Sequence, residues 1–177
     1  DRFRIGAGAG IRSELRSFGQ IMPGDTLTRP DTVRRKMSSL VLTGKVFNNI
    51  GSRFGWSASG DLWFQGYRAG DFIVDGRIYK EFETRRQGMI TWDATGTIAS
   101  YTPSFWYYSW GSNNFAWQLD HKREFRLMAG SSLLWPELKL SLKFNYAIVD
   151  NFTGMGTGAV PYQHEGGLSL LALTAKK

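Results

Sequence analysis

The sequence contains no cysteine, two histidines and only five prolines. Without cysteine the chain can form neither a disulfide bond nor a thiolate metal site, and His121 and His164 alone leave little metal chemistry. No apolar run approaches the roughly 20 residues that a membrane helix requires, and the mean hydropathy is -0.30. These absences exclude a disulfide scaffold and a helical membrane protein. They also predict that the chain binds no metal and no other cofactor.

Glycine and aromatic residues are abundant, with 21 Gly, 7 Trp, 7 Tyr and 12 Phe among the 177 residues. Aromatic side chains suit the pleated surface of a sheet, and glycine serves turns and close strand approach. Hydrophobic residues make up 42% of the chain, which predicts one folded domain over residues 1–177. Because the chain starts at Asp1 without a signal sequence, we expect a processed mature protein or an excised piece.

Apolar and polar residues alternate with the period of a β-strand along nearly the whole chain. In LKLSLKFNYAIVD (138–150), the leucines, Phe144, Tyr146 and Ile148 fall on one face of an extended chain, and the lysines fall on the other. No window shows the apolar stripe of an amphipathic helix. The pattern predicts eight strands, near residues 2–15, 36–47, 52–65, 72–83, 88–100, 117–133, 138–150 and 167–176.

The predicted connections alternate between long and short. The longer ones are 16–35, 66–71, 101–116 and 151–166, and the shorter ones are 48–51, 84–87 and 134–137. An up-and-down meander places alternate connections at opposite ends of the sheet, so one end would carry tight turns and the other large loops. Transmembrane β-barrels show this asymmetry, with short periplasmic turns and longer extracellular loops. Both termini would then be periplasmic.

Three architectures compete for these strands. A soluble β-sandwich would cover the apolar faces with a second sheet, but its Greek-key crossovers mix connection lengths at both ends. A soluble up-and-down barrel has an apolar interior and a polar exterior, whereas the polar face here carries a dense array of both charges. We therefore predict an all-β fold, an antiparallel up-and-down transmembrane β-barrel with about eight strands in this chain.

From Asp71 to the end, three segments occur in an order and spacing that resemble a known family. They are YTPSFWYYSWGSNNFAWQ (101–118), LKLSLKFNYAIVDNF (138–152) and VPYQHEGGLSLLALTAK (160–176). Each segment alone has modest specificity, and their shared order has more. Together they resemble the β-barrel porin family of the Bacteroidetes outer membrane.

The resemblance implies a barrel with more than eight strands, of which this chain would be the C-terminal portion, in the outer membrane of a Gram-negative bacterium. Bacterial barrels usually finish on an aromatic residue, whereas this chain stops at Ala175, Lys176 and Lys177. We expect either that the sequence is cut short or that the barrel closes differently. The family offers no catalytic residues, so none are assigned.

The polar faces of the predicted strands would line the lumen. The basic residues on these faces are Arg2, Arg4, Arg12, Lys45, Arg53, Arg77, Lys122, Arg126, Lys139 and Lys143. The acidic ones are Asp61, Asp75, Glu81, Asp93, Asp120 and Glu124. Since basic rings favour anions, this excess of positive charge predicts a mildly anion-selective lumen. The alternative is that the charges pair with each other and only keep the interior hydrated.

Aromatic residues are concentrated in the connection that follows the fifth strand. Trp106, Tyr107, Tyr108, Trp110 and Trp117 suit stacking on a sugar ring or another apolar ligand. Alternatively, they form part of the aromatic girdle at the headgroup level, or they fold inward and pack. His121 and Arg123 fall on the nominal lipid face of the sixth strand, so we expect this part of it to rise above the hydrocarbon band.

Other chemistry has weaker support. GAGAG (6–10) and GMGTG (154–158) lack the lysine and the strand-to-helix context of a phosphate loop. Acidic pairs such as Asp120 and Glu124 could suggest glycoside cleavage, but a charged lumen explains them. The basic residues form no single patch that would bind nucleic acid. We predict no enzyme activity and no nucleic-acid binding.

The predicted function is passage of small polar or anionic solutes, or service as the barrel subunit of an outer-membrane complex. The expected partners are outer-membrane lipid, small anionic or polar solutes and outer-membrane proteins. Two alternatives are a non-conducting barrel that presents extracellular loops and a soluble sandwich or barrel that binds a ligand.

Overall fold

The chain folds almost entirely into β-strands. The computed structural model describes residues 5–22, 31–50, 53–84, 88–111 and 116–177. Its elements are β1 (Ile5–Met22), β2 (Asp31–Ile50), β3 (Phe54–Gly66), β4 (Phe72–Thr84), β5 (Gly88–Tyr101), α1 (Phe105–Tyr108), β6 (Ser109–Gly111), β7 (Ala116–Gln118), β8 (Glu124–Trp135), β9 (Leu140–Asp150), β10 (Thr153–Met155), β11 (Pro161–Gln163) and β12 (Gly167–Lys176). No helix in these ranges is long and apolar enough to cross a membrane.

Eight strands form one antiparallel sheet in the order β1-β2-β3-β4-β5-β8-β9-β12. Each strand lies beside its predecessor in the meander, and the hairpins β6–β7 and β10–β11 stand apart within two of the connections. This topology confirms the predicted all-β up-and-down fold, and it has no Greek-key crossover. Among the described strands, β1 pairs only with β2 and β12 only with β9, so the sheet is open.

The connections keep the predicted alternation, but two strand boundaries differ from the prediction. The segment predicted as a connection at 16–35 is largely strand, because β1 runs to Met22 and β2 begins at Asp31. In this part of the hairpin both faces are mainly polar, as in the pair Ser17 and Lys36. The sequence of this segment therefore lacks the alternation of apolar and polar residues that would predict a strand.

The sixth strand was predicted to start near residue 117, and in the sheet it starts at Glu124 as β8. The Leu119 N–H donates instead to the Tyr108 carbonyl at 2.8 Å. Residues 119–123 thus belong to the connection before the sheet.

The register gives the sheet two distinct faces. We call the inner face the one that carries Arg12, Phe18 and Gln20 of β1, and the outer face the opposite one. On the outer face, Leu42 pairs with both Ile11 and Leu62, so apolar side chains form continuous rows across neighbouring strands.

The apolar outer face has no protein covering in the described part of the chain. Ile11 is 71% exposed and Leu173 is 73% exposed. The buried hydrophobic residues are few: Val41, Trp63, Ala99 and Phe105. A soluble domain buries its apolar side chains against other protein elements. The outer face is therefore suited to hydrocarbon, as in a transmembrane barrel.

Two glycines on the inner face make room for aromatic rings on the neighbouring strand. A Cβ at Gly55 would lie 2.3 Å from Tyr79 Cε1, and a Cβ at Gly6 would lie 2.3 Å from Phe47 Cζ. Each ring therefore lies flat over the glycine backbone of the adjacent strand, which fixes the register of the pair. Gly8, on the same face of β1, has no atom within 4 Å of an added Cβ.

We expect Gly55→Ala to destabilise the folded protein by about 1–3 kcal/mol, because the methyl group displaces the Tyr79 ring as overpacking does in a core. Gly8→Ala is the matched control and should change stability little, since the space beside it is open. Urea unfolding in detergent micelles, followed by tryptophan fluorescence, measures both. Equal stability of the two variants would contradict this role for Gly55.

Candidate functional site on the inner face

The connection between β5 and β8 crosses the inner face and reaches β1. The Gln20 side chain, 8% exposed, donates from Nε2 to the Ser109 carbonyl at 3.0 Å and accepts from the Gly111 N–H at 2.9 Å. Strands β2, β3 and β4 lie between β1 and β5 in the sheet. The connection therefore spans several strands and narrows the space in front of the inner face at the end with the long connections.

Aromatic rings of this connection pack on β1 and on each other. Phe18 lies 4.7 Å from Phe105 and 5.4 Å from Trp106, between ring centroids. Trp106 meets Trp110 edge to face at 5.2 Å, and Trp110 stacks on Trp117 at 6.2 Å with an interplanar angle of 27°. The three tryptophans are thus folded inward and packed, one of the predicted alternatives. Stacking on a sugar ring stays a prediction.

The remaining two predicted aromatics hold the end of the same connection. The His121 ring lies 3.0 Å from the Tyr107 carbonyl through Nε2, and the Tyr108 hydroxyl donates to the His121 carbonyl at 3.1 Å. Burial raises the pKa of Tyr108 to about 12, and the nearby Tyr67 and Asp71 add to the shift. The phenol therefore keeps its proton, and this hydrogen bond persists, throughout the physiological pH range.

Asp71 is a buried hub that sequence reasoning missed. Its side chain has no exposed surface, and it accepts from Arg68 Nε at 2.7 Å and from Thr102 N and Oγ1 at 2.9 and 2.8 Å. Arg123 Nε lies 3.5 Å from the same carboxylate. This carboxylate joins the β3–β4 connection to the β5–β8 connection. The spacing of Arg68 and Asp71 in YRAGD (67–71) is the signal that could have indicated an ion pair.

A second network, centred on Glu124, fixes the β9–β12 connection. Glu124, which is 3% exposed, accepts from the Tyr101 hydroxyl and from the Thr153 N–H, each at 2.9 Å. Gln163 adds two bonds of 2.8 Å to the main chain of Lys122. The three described connections at this end of the sheet are therefore linked to each other and to the inner face.

Half of the predicted lumen charges that the structure describes form ion pairs. Arg12 bonds Asp61 at 3.0 Å and Glu14 at 3.2 Å. The other pairs are Arg77–Asp93 at 2.6 Å, Arg53–Glu83 at 2.7 Å and Arg126–Glu124 at 2.9 Å. Asp75 instead accepts from the Thr97 hydroxyl at 2.7 Å. The predicted alternative, in which charges neutralise each other, thus describes much of this face.

Lys45 and Lys143 differ from these arginines. Both lie on the inner face, and no carboxylate of the described residues lies within ion-pairing distance of either ammonium group. Lys45 Nζ lies 5.5 Å from the centroid of the Phe47 ring. These two lysines are the uncompensated positive charges among the predicted lumen residues in the strands of the sheet.

A family model described as "Putative porin" matches residues 2–177. The chain belongs to this porin family. Membership implies an outer-membrane location and, with the all-β fold, supports a porin-like outer-membrane β-barrel. No curated protein and no solved structure matches the chain.

Several residues predicted to line the lumen of this porin-family chain lie elsewhere. Lys122 and Asp120 belong to the connection before β8, and Lys139 lies in the β8–β9 turn with a φ of 51°. Arg2 and Arg4 lie outside the described residues. That the inner face as a whole lines a water-filled lumen stays a prediction.

His121 and Arg123 also lie in the connection before β8. That they lie beyond the hydrocarbon band stays a prediction. Among the described residues, no group of three or more His, Asp or Glu side chains is arranged to bind a metal ion.

We expect Asp71→Asn to loosen the β5–β8 connection of the porin-family chain. The amide keeps the shape but removes the buried negative charge that faces Arg68 and Arg123, and Glu14, 3.7 Å from Arg68, stays as a partly exposed counter-ion. Hydrogen exchange of residues 102–111, measured by mass spectrometry in detergent, should become faster. Asp75→Asn makes the same charge change in the same sheet and should leave this exchange unaltered. Equal protection of residues 102–111 in both variants would contradict the role of Asp71 in holding the connection.

Proposed function

We propose that the chain forms part of the wall of a water-filled pore in the outer membrane of a Gram-negative bacterium, through which small polar and anionic solutes pass. The observation that carries this proposal is the contrast between the two faces. The outer face is apolar and uncovered, whereas the inner face carries ion pairs, hydroxyl groups and lysines. Among the described residues, no arrangement of nucleophile and base suggests catalysis, so the proposed role is a channel.

The open edges of the sheet support a larger barrel. Backbone groups cannot remain unpaired against hydrocarbon, so only closed barrels span membranes with strands. An eight-stranded barrel has an interior just wide enough for side chains to fill, and the β5–β8 connection would occupy it further. We propose that further strands pair with β1 and β12, and that outer-membrane lipid covers the outer face. We also propose outer-membrane proteins as partners of the completed barrel.

The uncompensated lysines support anion preference. Lys45 and Lys143 project from the inner face with no described carboxylate within ion-pairing distance, whereas the arginines described above are paired. A cation whose charge is not offset attracts anions into a confined aqueous space more strongly than a neutral pair does.

In planar bilayers with a potassium chloride gradient, we expect the full-length protein to show a reversal potential of the sign that indicates chloride preference. Lys45→Gln and Lys143→Gln should each move this potential toward zero, because each removes one uncompensated charge. Lys139→Gln carries the same charge change in a turn and is the control. Cation selectivity of the unaltered protein would end the anion proposal.

A second candidate is a non-conducting barrel that presents its loops to a partner. The observation in its favour is the β5–β8 connection, which crosses the inner face and is held at both Gln20 and Asp71. Single-channel recording separates the two, since an open pore gives conductance steps and a plugged barrel gives none.

Gln20→Ala removes both bonds that hold Ser109 and Gly111 to β1. For an open pore, we expect larger or noisier conductance steps in this variant, because the connection that narrows the pore is released at one end. Gln65→Ala, which changes an exposed glutamine of β3, should conduct like the unaltered protein. Steps that appear only in Gln20→Ala would favour the plugged barrel, and identical steps in all three proteins would contradict the narrowing role.

A further inference from the structure

We propose that a recess in the inner face around Gly130 is a solute-binding site for small carboxylates that carry hydroxyl groups. This inference deepens the proposed pore function and rests on it. The recess has a volume of about 200 Å³ and is lined by Asp93, Thr95, Gly130, Ser131, Ser132, Lys143 and Asn145.

Register places the lining side chains in two adjacent rows across β5, β8 and β9. Asp93 pairs with Ser132, which pairs with Lys143, and in the next row Gly130 lies between Thr95 and Asn145. These six residues lie on the same face of the sheet as Arg77 and Arg126, whereas Ser131 lies on the outer face, where its hydroxyl accepts from Trp92 Nε1 at 2.9 Å. The recess is therefore built from rigid strands rather than from a loop, which favours a fixed arrangement of polar groups.

Gly130 makes room for polar atoms of the recess. A Cβ at this position would lie 2.8 Å from Thr95 Oγ1 and 3.3 Å from Asn145 Oδ1. Thus two polar atoms from the two flanking strands converge on the one residue that has no side chain. The φ of Gly130 is not among the positive values, so the glycine is needed here for space and not for its backbone conformation.

The charges around the recess favour an anion. The Asp93 carboxylate is paired with Arg77 Nε at 2.6 Å, so its negative charge is offset. The Lys143 ammonium has no such partner among the described carboxylates, which leaves one net positive charge at the recess. An ammonium group offers three donors to a carboxylate, and a charge-assisted hydrogen bond is about twice as strong as a neutral one.

The remaining groups favour hydroxyls beside that carboxylate. Thr95 and Ser132 each provide a hydroxyl that can donate and accept, and Asn145 provides an amide that does both. The recess is smaller than the roughly 300–1,000 Å³ of sites that enclose a drug-sized ligand. It fits one small solute, held weakly enough to leave again, as passage through a pore requires.

Gluconate is a suitable probe because it combines one carboxylate with several hydroxyls. Sorbitol lacks the charge, and acetate lacks the hydroxyls. Titration calorimetry of the full-length protein in detergent should show gluconate binding about tenfold more tightly than either, the ratio expected for about 1.4 kcal/mol of lost interaction. In bilayers, gluconate should reduce the chloride current over the same concentration range.

Gly130→Val fills the recess without removing a polar group and should weaken gluconate binding about tenfold or more, as the loss of one charge-assisted hydrogen bond does. Gly96→Val is the matched control, because Gly96 lies on the outer face of the adjacent strand and an added Cβ has no atom nearer than 4.0 Å. Lys143→Gln should abolish the preference of gluconate over sorbitol, and Lys139→Gln should preserve it. The lysine variants decide the question even if Gly130→Val does not fold.

The two proposals fail in different ways. Conductance without gluconate binding would overturn the recess as a binding site and leave the pore proposal intact. Equal gluconate binding by Gly130→Val and Gly96→Val would have the same meaning. Gluconate binding that depends on Gly130 and Lys143 in a protein without conductance would support the site and overturn the pore. Equal affinity for gluconate, sorbitol and acetate would overturn the proposed selectivity.

Discussion

The structure depends on the hydrogen bonding of the strand backbone. Each interior strand satisfies its N–H and C=O groups through two neighbours, and this pairing fixes which side chains share a face. Because side chains alternate along a strand, one register produces both an apolar outer face and a charged inner face. A shift of one residue would place Arg77 and Asp93 against hydrocarbon. The environment on the two sides of the wall therefore enforces the register, and the aromatic rings over Gly6 and Gly55 add to it.

The inner face divides into two regions with different roles. Toward the long connections, the buried carboxylates of Asp71 and Glu124 hold irregular segments in front of the sheet. Toward the short turns, the strands carry smaller polar side chains and the lysines, and Gly130 leaves a recess. Ion pairs occur in both regions, since Arg53 pairs with Glu83 near the short turns and Arg77 pairs with Asp93 at the recess. What distinguishes the second region is Lys143, which has no ion-pair partner among the described carboxylates and borders the proposed binding site.

Much of the fold could be predicted from the sequence, because each strand has one apolar and one polar face and the alternation records that directly. This pattern predicts the order of the strands and the alternation of long and short connections. It also predicts the face on which Lys45 and Lys143 lie. The extension of β1 and β2 to Met22 and Asp31 could not, since polar residues occupy both faces there. The hub at Asp71 was missed because its partners Thr102 and Arg123 are distant in sequence. Such contacts arise from folding of the connections and leave no periodic signal.

The bonds that anchor the connections share one property: many of them are made to main-chain atoms. Gln20 holds Ser109 and Gly111 by their peptide groups, Glu124 holds the Thr153 amide, and Gln163 holds Lys122 by its N–H and C=O. A segment held by its peptide groups can exchange many of its side chains during evolution and still follow the same path. Substitutions can thus change the side chains displayed at this end of the sheet, and with them the solutes that the proposed pore would admit, while the strands beneath keep their pairing.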